Sequence, residues 1–187
     1  MNQIILYGDK KDEQISQTVY RLLESSFHVT HITEAKIRSG GRHTAPINLI
    51  ETDSLKDIGI KNSILILKNN AKINSLRYVN KTTNVIIHSE NTKNMTRLAQ
   101  YLPNVYTCGF SSKDYVTFSS RGEDKAVVSL QRSVRLINDG SFCEPFEIPC
   151  EMEHPLKDYS ILAGMMMMIL LGTLNETKSK EQGRLHL

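Results

Sequence analysis

Residues 1–33 constrain the fold more than any other part of the chain. Residues 4–7 form an apolar run typical of a buried strand, and Gly8 and a polar turn follow it. The next segment carries apolar side chains at helical spacing on one face: Ile15, Val19, Leu22 and Leu23. A second strand is predicted at residues 28–33. A strand, a helix and a second strand in this order predict a βαβ unit, and hence a parallel sheet.

Two continuous apolar runs extend the predicted sheet. Residues 64–67 and 85–87 contain no polar position, which is typical of parallel strands that are covered on both faces. We also predict shorter strands at 47–51 and 104–108, a weak helix at 71–80 and a second helix at 92–102. The segment 38–46 is rich in glycine and arginine. It is expected to be a flexible solvated loop, with anion binding as the alternative.

The hydrophobic pattern changes in the second half of the chain. Residues 114–150 contain several alternating segments, which indicates strands, and the Asn-Asp-Gly turn at 138–140 is a strong hairpin signal within them. We therefore predict a small antiparallel sheet there. Pro155 precedes a final helix at 156–174, whose four consecutive methionines at 165–168 are expected to fill the core.

These patterns together predict the fold class. We expect a three-layer α/β protein, Rossmann-like or P-loop-like, with a mostly parallel sheet and a small antiparallel lobe in the C-terminal half. Residues 1–174 are long enough for one such domain. Residues 175–187 are largely polar and are expected to form a disordered tail.

Composition narrows the function classes. The net charge of +3, the aromatic share of 6% and the absence of tryptophan give no reason to expect a nucleic-acid partner. The three cysteines form no pair with metal-ligand spacing, so we expect reduced thiols, no metal site and a cytoplasmic location. The apolar stretch at 161–171 is about half the ~20 residues that span a bilayer. No membrane association and no secretory signal are therefore expected.

The loop after the first strand lacks the residues that bind phosphate. The Walker pattern requires Gly-Lys-Ser/Thr after a first glycine and four further residues. Counted from Gly8, those positions (13–15) hold Glu, Gln and Ile. Counted with Gly8 as an internal glycine, the positions (11–13) hold Lys, Asp and Glu. Phosphoryl transfer is therefore not expected, and no cofactor is predicted. Weak nucleotide binding through Lys10 and Lys11 is the alternative to a solvated turn.

A ligand crevice is expected where the carboxyl ends of the parallel strands meet. His88 and Glu90 follow the predicted strand at 85–87, and His154 lies just before the last helix. A structural or exposed histidine is the alternative for His88, and a helix cap is the alternative for His154. The expected crevice residues are Gly8, Asp9, Lys10, Lys11, His88, Glu90, Gly109, His154 and Asp158.

The second half of the chain resembles a known family in the order of its motifs. In order, the motifs are Val-Tyr-Thr-Cys-Gly-Phe at 105–110, Ser-Ser-Lys-Asp-Tyr-Val-Thr-Phe at 111–118, Glu-Ile-Pro at 147–149, His154, and a helix with Ala163 and Gly172. This order resembles the end of the central domain of the Mur ligases, the ATP-dependent enzymes that add amino acids to UDP-N-acetylmuramate. The likeness covers residues 3–33 and 84–174, and it implies the fold and a bacterial, cell-wall-related ancestry.

The chain also departs from the pattern of that family. The family's Gly-x-Gly-Lys-Thr-Thr loop is replaced, and Pro155 and Asp158 stand where the family has two asparagines. The chain is short between residues 34 and 62, where the ligases carry metal-binding residues. The family's UDP-binding and amino-acid-binding domains have no counterpart in this sequence. The resemblance therefore implies no catalytic residue here.

Three hypotheses about function follow from the sequence. The first is a non-catalytic binding or regulatory module for a nucleotide-like ligand, a peptidoglycan precursor or a protein partner. The second is an enzyme of another class that reuses the crevice, with candidate groups on Lys10, Lys11, His88, Glu90 and Cys108. The third is a structural subunit that forms homo-oligomers through its apolar final helix.

Overall fold

The structure is a computed structural model that describes residues 2–69, 71–174 and 185–187. The helices are α1 (Glu13–Glu24), α2 (Thr92–Ala99) and α3 (Asp158–Leu170), and a 3-10 turn lies at Ile73–Ser75. The strands are β1 (Asn2–Tyr7), β2 (His28–Ile32), β3 (Ile37–Gly40), β4 (Pro46–Thr52), β5 (Asp57–Ile58), β6 (Ile64–Leu67), β7 (Tyr78–Val79), β8 (Asn84–His88), β9 (Val105–Cys108), β10 (Val116–Arg121), β11 (Lys125–Leu130), β12 (Val134–Arg135), β13 (Phe142–Cys143), β14 (Phe146–Glu151) and β15 (Leu185–His186).

One large mixed sheet organises the described part of the chain. Its strand order is β15-β14-β11-β10-β9-β8-β6-β1-β4-β2-β3. Every neighbouring pair from β10 to β2 is parallel, whereas β3 and β11 run antiparallel to their neighbours. β1 lies inside the parallel part, where Ile4 pairs with Leu49 of β4 and with Ile64 of β6. The predicted mostly parallel sheet is confirmed.

Both faces of the sheet are covered, which gives three layers. On one face α1 and α3 pack against each other and against the strands. The four predicted apolar positions of α1 all belong to this core: Ile15, Val19, Leu22 and Leu23. On the other face a second core forms under α2, the 3-10 turn and β5. The sequence prediction of a three-layer α/β fold is therefore confirmed.

The final helix, α3, is buried at every residue after Asp158. Its methionines at 165–168 are at most 2% exposed, so they fill the core as predicted. α1 and α3 approach each other at Gly164, where a Cβ atom would lie 2.5 Å from Leu22 Cδ1. The helix ends before Gly172, which has a positive φ of 69°. Within the residues described, no helix is long and apolar enough to cross a membrane.

The antiparallel strands predicted in the second half are present. β11 pairs antiparallel with β10 on one side and with β14 on the other, and these strands continue the large sheet. β12 and β13 form a separate two-stranded ribbon around the predicted turn at 138–140, where Gly140 has a φ of 71°. The lobe is therefore an extension of the main sheet with one added hairpin.

The prediction of a helix at residues 71–80 was wrong. The segment forms the 3-10 turn and then β7, which pairs in parallel with β5. Arg77 N donates to Lys56 O at 2.7 Å, and Asn80 N donates to Ile58 O at 2.8 Å. These long-range backbone hydrogen bonds outweigh the weak local preference for a helix.

The loop predicted at residues 38–46 and the disordered tail also differ from expectation. Residues up to Gly40 belong to β3, an edge strand in which Ser39 pairs with Thr30 of β2. Of the predicted tail, residues 175–184 lie outside the described part. Its last residues instead form β15, which pairs in parallel with β14, and Leu187 is buried.

The contact at Gly164 generates a stability prediction. Gly164→Leu should lower the free energy of unfolding by about 1–3 kcal/mol, because the added side chain must displace Leu22 from a packed helix interface. Gly59→Leu is the control, since a Cβ atom at Gly59 would meet no atom within 4 Å. That control should change stability by less than about 0.5 kcal/mol in urea denaturation. Equal effects of the two substitutions would contradict the packing account.

Candidate functional site

The loop between β1 and α1 lies directly against a lysine that follows β6. Gly8 has a φ of 144°, and a Cβ atom at this position would lie 2.7 Å from Lys68 Cβ. No side chain fits there without moving the lysine, so the close approach of the loop requires a glycine.

Three backbone N–H groups of this loop are engaged inside the protein. Gly8 N donates to Thr52 O at 3.1 Å, and Asp12 N donates to Asp9 O at 3.1 Å. Lys11 N donates to Asp9 Oδ1 at 2.9 Å. A phosphate-binding loop directs such N–H groups towards the ligand. In this loop, these three donors already have protein acceptors.

The ammonium group of Lys68 occupies the space beneath the loop. Lys68 is fully buried. Its Nζ donates to Asp9 O at 3.1 Å, to Asp12 O at 3.1 Å and to Glu51 Oε1 at 2.7 Å. An ammonium group has three N–H donors, so each of them has an acceptor. The loop thus directs carbonyl oxygens towards a buried cation.

Glu51, on β4, connects this lysine to two further elements. Ser16 Oγ of α1 donates to Glu51 Oε1 at 2.7 Å, and His31 Nε2 of β2 lies 3.2 Å from Glu51 Oε2. Burial opposes the ionisation of Glu51. The hydrogen bonds from His31, Lys68 and Ser16 outweigh that effect and lower the pKa of Glu51 from 4.5 to about 2.

His31 is oriented by an arginine on its other side. Arg38 Nε donates to His31 Nδ1 at 3.1 Å, so the ring proton lies on Nε2 and points at Glu51. The Arg38 guanidinium also lies over the Tyr20 ring, 4.4 Å from its centroid. The network therefore runs without interruption from β3 to β6.

A separate cleft opens where β6 and β8 end and α3 begins. Its volume is about 970 Å³. His88, Glu90 and Asp158, all predicted crevice residues, line it together. The His88 ring packs edge-on against Tyr159 with 5.1 Å between centroids, and Tyr159 Oη donates to Leu67 O at 2.6 Å. The buried tyrosine thereby fixes the wall of the cleft to the end of β6.

The cleft carries more free positive than free negative charge. Lysines 72, 93 and 157 line it, together with four asparagines: Asn69, Asn74, Asn91 and Asn94. Lys157 Nζ pairs with Asp12 Oδ1 at 3.1 Å, and Asp158 Oδ1 accepts from Arg121 Nε at 2.7 Å. Lys72 and Lys93 have no ion pair among the described residues. Two unpaired ammonium groups beside amide donors can bind an anionic ligand.

The other predicted crevice residues lie elsewhere. Lys10 forms ion pairs with Glu34 and Asp53 outside this cleft. His154 lines a different groove, beside α1. Gly109 packs behind the loop after β8, where a Cβ atom would lie 2.2 Å from Ser89 Oγ.

Asp9 and Lys11 likewise do not line the cleft. Asp9 accepts hydrogen bonds within the loop and from Lys68, and Lys11 is exposed at its tip. The predicted crevice is therefore not one site in the structure. Its residues divide among the loop above Lys68, the cleft at His88 and the groove that His154 lines.

The groups proposed for a different enzyme class are not arranged as a catalytic pair. His88 Nδ1 lies 3.9 Å from Glu90 Oε2, and the Glu90 side chain is 82% exposed. Cys108 is fully buried, and burial raises the pKa of its thiol far above the usual range. Among the described residues, no group of histidine, cysteine and acidic side chains has the arrangement of a metal site.

Comparison with known proteins gives a match in structure but not in sequence. No protein-family model matches the sequence, and no curated protein matches it. The MurF ligase of Thermotoga maritima, solved with ADP, superimposes with a TM-score of 0.57 at 10% identity over 94% of this chain and 46% of its own. The murein peptide ligase Mpl of Psychrobacter arcticus superimposes with a TM-score of 0.57 at 8% identity, and the match covers 91% of this chain and 44% of the ligase. A UDP-N-acetylmuramoyl-L-alanyl-D-glutamate–2,6-diaminopimelate ligase superimposes with a TM-score of 0.50 at 11% identity, and the match covers 92% of this chain and 43% of the ligase.

This chain has the central-domain fold of the Mur ligases. The resemblance seen in the order of the sequence motifs is confirmed at the level of the fold. The chain spans less than half the length of each of these solved Mur ligases.

Sequence reasoning missed the charged network beneath the loop of this Mur ligase fold. Lys68 follows the apolar strand β6 directly, and Glu51 lies near the end of β4. Both therefore share the feature that made His88 a candidate. That feature is a charged or titratable group at the carboxyl end of a buried strand. Applied to every strand, that criterion would have found them.

Removal of the buried ammonium group should lower the free energy of unfolding substantially. Lys68→Met should lower the free energy of unfolding by about 3–5 kcal/mol, because it removes the cation that pairs with the buried Glu51 carboxylate and that donates to two loop carbonyls. Lys10→Met, which breaks only exposed ion pairs, should leave the free energy of unfolding nearly unchanged. Addition of Glu51→Met to Lys68→Met should cost less than the sum of the two single effects in urea denaturation. Additive effects would show that the pair does not interact.

The depressed pKa of Glu51 predicts a pH dependence. The pKa is about 2 in the folded protein against an ordinary 4.5, so this carboxylate stabilises the fold above pH 4.5. That contribution is lost as the pH falls from 4.5 towards 2. Glu51→Gln should therefore flatten the decline in unfolding free energy over this interval, measured by urea denaturation at a series of pH values. Glu90→Gln, at an exposed glutamate, should retain the wild-type slope, and parallel curves for all three proteins would refute the assignment.

Proposed function

We propose that this protein is a non-catalytic binding module in which the phosphate loop of the Mur ligase fold has degenerated. The observation that supports this proposal is that Lys68 donates to Asp9 O, Asp12 O and Glu51 from beneath the loop. A loop whose carbonyl oxygens hold an internal cation does not present the N–H groups that a phosphate requires. The proposal is thus binding without phosphoryl transfer.

The ligand that we propose is a small polar anion in the cleft at His88. The unpaired Lys72 and Lys93 provide charge, and the surrounding asparagines provide directional hydrogen bonds. The volume of about 970 Å³ is at the upper end of small-molecule sites, so the cleft accommodates a ligand of nucleotide size.

The similar structures suggest which anions to test first. The MurF structure was solved with ADP, and the third similar protein is named for a UDP-N-acetylmuramoyl peptide. A nucleoside diphosphate and a UDP-muramyl peptidoglycan precursor are therefore the first candidate ligands. They would give the module a role in bacterial cell-wall metabolism.

A thermal-shift titration with Mg-ATP, ADP, UDP and a UDP-muramyl precursor tests the proposal. A ligand at about 100 times its Kd should add roughly 2.7 kcal/mol to the free energy of unfolding, which is a rise in Tm of several degrees. The Lys72→Ala/Lys93→Ala variant should lose this rise. Lys11→Ala is the matched control, because Lys11 is an exposed lysine that does not line the cleft.

Two results would contradict the proposal. The absence of any shift with all four ligands would remove the small-molecule site. ATP hydrolysis that disappears in Lys11→Ala or Glu13→Gln would show that the loop is catalytic after all.

A further inference from the structure

A second groove lies on the α2 face of the sheet, between α2 and the segment that carries the 3-10 turn and β7. Its volume is about 380 Å³. Its floor is made of aliphatic side chains that are at most 7% exposed: Ile73, Leu76, Leu98 and Leu102. The groove shares only Asn74 with the lining of the cleft at His88. It is therefore a surface distinct from the cleft at His88.

The rim of the groove combines aromatic and cationic side chains. Tyr78 is 53% exposed and Tyr101 is 69% exposed, although both are large and partly apolar. Arg77 and Arg97 also line the groove, and its lining contains no acidic residue. Within the described part of the chain, Arg97 donates to the neutral Asn74 Oδ1 at 3.0 Å, and Arg77 has no side-chain partner. Tyrosine and arginine beside an apolar floor are typical of protein-binding hot spots.

Positive charge is concentrated in the segment of the chain that carries the groove. Residues 55–103 contain eight lysines and arginines and two acidic residues, so they carry +6, while the rest of the chain carries −3. All of these basic side chains are exposed except Lys68. The small overall charge therefore conceals a strongly basic segment, and the two arginines at the rim of the groove favour an acidic partner.

We propose that this groove, lined by Arg77, Tyr78, Arg97 and Tyr101, is the docking site for an acidic segment of a partner protein. The segment inserts an aliphatic or aromatic side chain onto the apolar floor. Carboxylates that flank this anchor pair with Arg77 and Arg97. A protein segment fits better than nucleic acid, because the aliphatic floor offers methyl groups to an apolar anchor.

Selection from a random-peptide display library on the immobilised full-length chain tests the chemistry of the occupant. The Arg77→Glu/Arg97→Glu variant serves for counter-selection. The enriched peptides should carry acidic residues on both sides of a leucine, phenylalanine or tryptophan. Binding of the strongest peptide, measured by fluorescence polarisation, should weaken at least about tenfold in Tyr101→Ala and in Arg77→Glu.

A control variant and a parallel measurement with nucleic acid distinguish peptide docking from the alternatives. Arg42→Glu makes the same charge change at an exposed arginine outside the groove, and it should leave peptide binding within about twofold. A duplex oligonucleotide that bound with the same dependence on Arg77 and Tyr101 would overturn the proposal in favour of nucleic acid. Failure to enrich peptides that depend on the groove, or enrichment of peptides without acidic residues, would overturn it as well.

Discussion

The buried ion pair of Lys68 and Glu51 is the interaction on which the functional end of this molecule depends. It joins β6 to β4 across β1, because both partners lie near the carboxyl ends of their strands. Through the ammonium group it also holds the loop before α1, and through Ser16 and His31 it reaches α1 and β2. A buried charge pair of this kind contributes little net stability, but the loss of either partner is expensive. The pair therefore acts as a constraint on geometry.

In the function that we propose, this constraint separates the fold of the protein from the chemistry for which the Mur ligase fold is known. The scaffold is complete in its parallel strands and in the helices that cover them. The loop after β1 holds a buried ammonium group through its carbonyl oxygens. Because function belongs to sites and not to folds, the same scaffold is free to expose binding surfaces instead. The cleft at His88 and the groove beside α2 are the two surfaces that we propose for binding.

The sequence predicted the framework because the framework follows local rules. The apolar runs that became β6 and β8 and the helical spacing in α1 are unambiguous in isolation. The helix prediction at 71–80 was wrong, because the conformation of this segment is determined by backbone hydrogen bonds to residues near β5, about 20 positions earlier in the chain. Long-range pairing of this kind leaves no local pattern.

The candidate site was predictable only in part, for a related reason. His88, Glu90 and Asp158 share a cleft, because strand ends and helix starts meet at one edge of a parallel sheet. Lys68 was missed, because a lysine after an apolar strand usually faces water. Its burial here depends on the carbonyl groups of Asp9 and Asp12, which lie far away in the sequence. Burial of a charge is a property of the assembled fold and not of the local sequence.

The most direct test of the account follows the loop amides by NMR during a titration with Mg-ATP. In ¹H–¹⁵N correlation spectra, the amides of residues 8–11 should not shift in a saturable way, because the loop is closed around Lys68. Any binding should instead shift the amides of Lys72 and Lys93 in the cleft. Saturable shifts at residues 8–11 would show that the loop still binds phosphate, and would contradict the central claim.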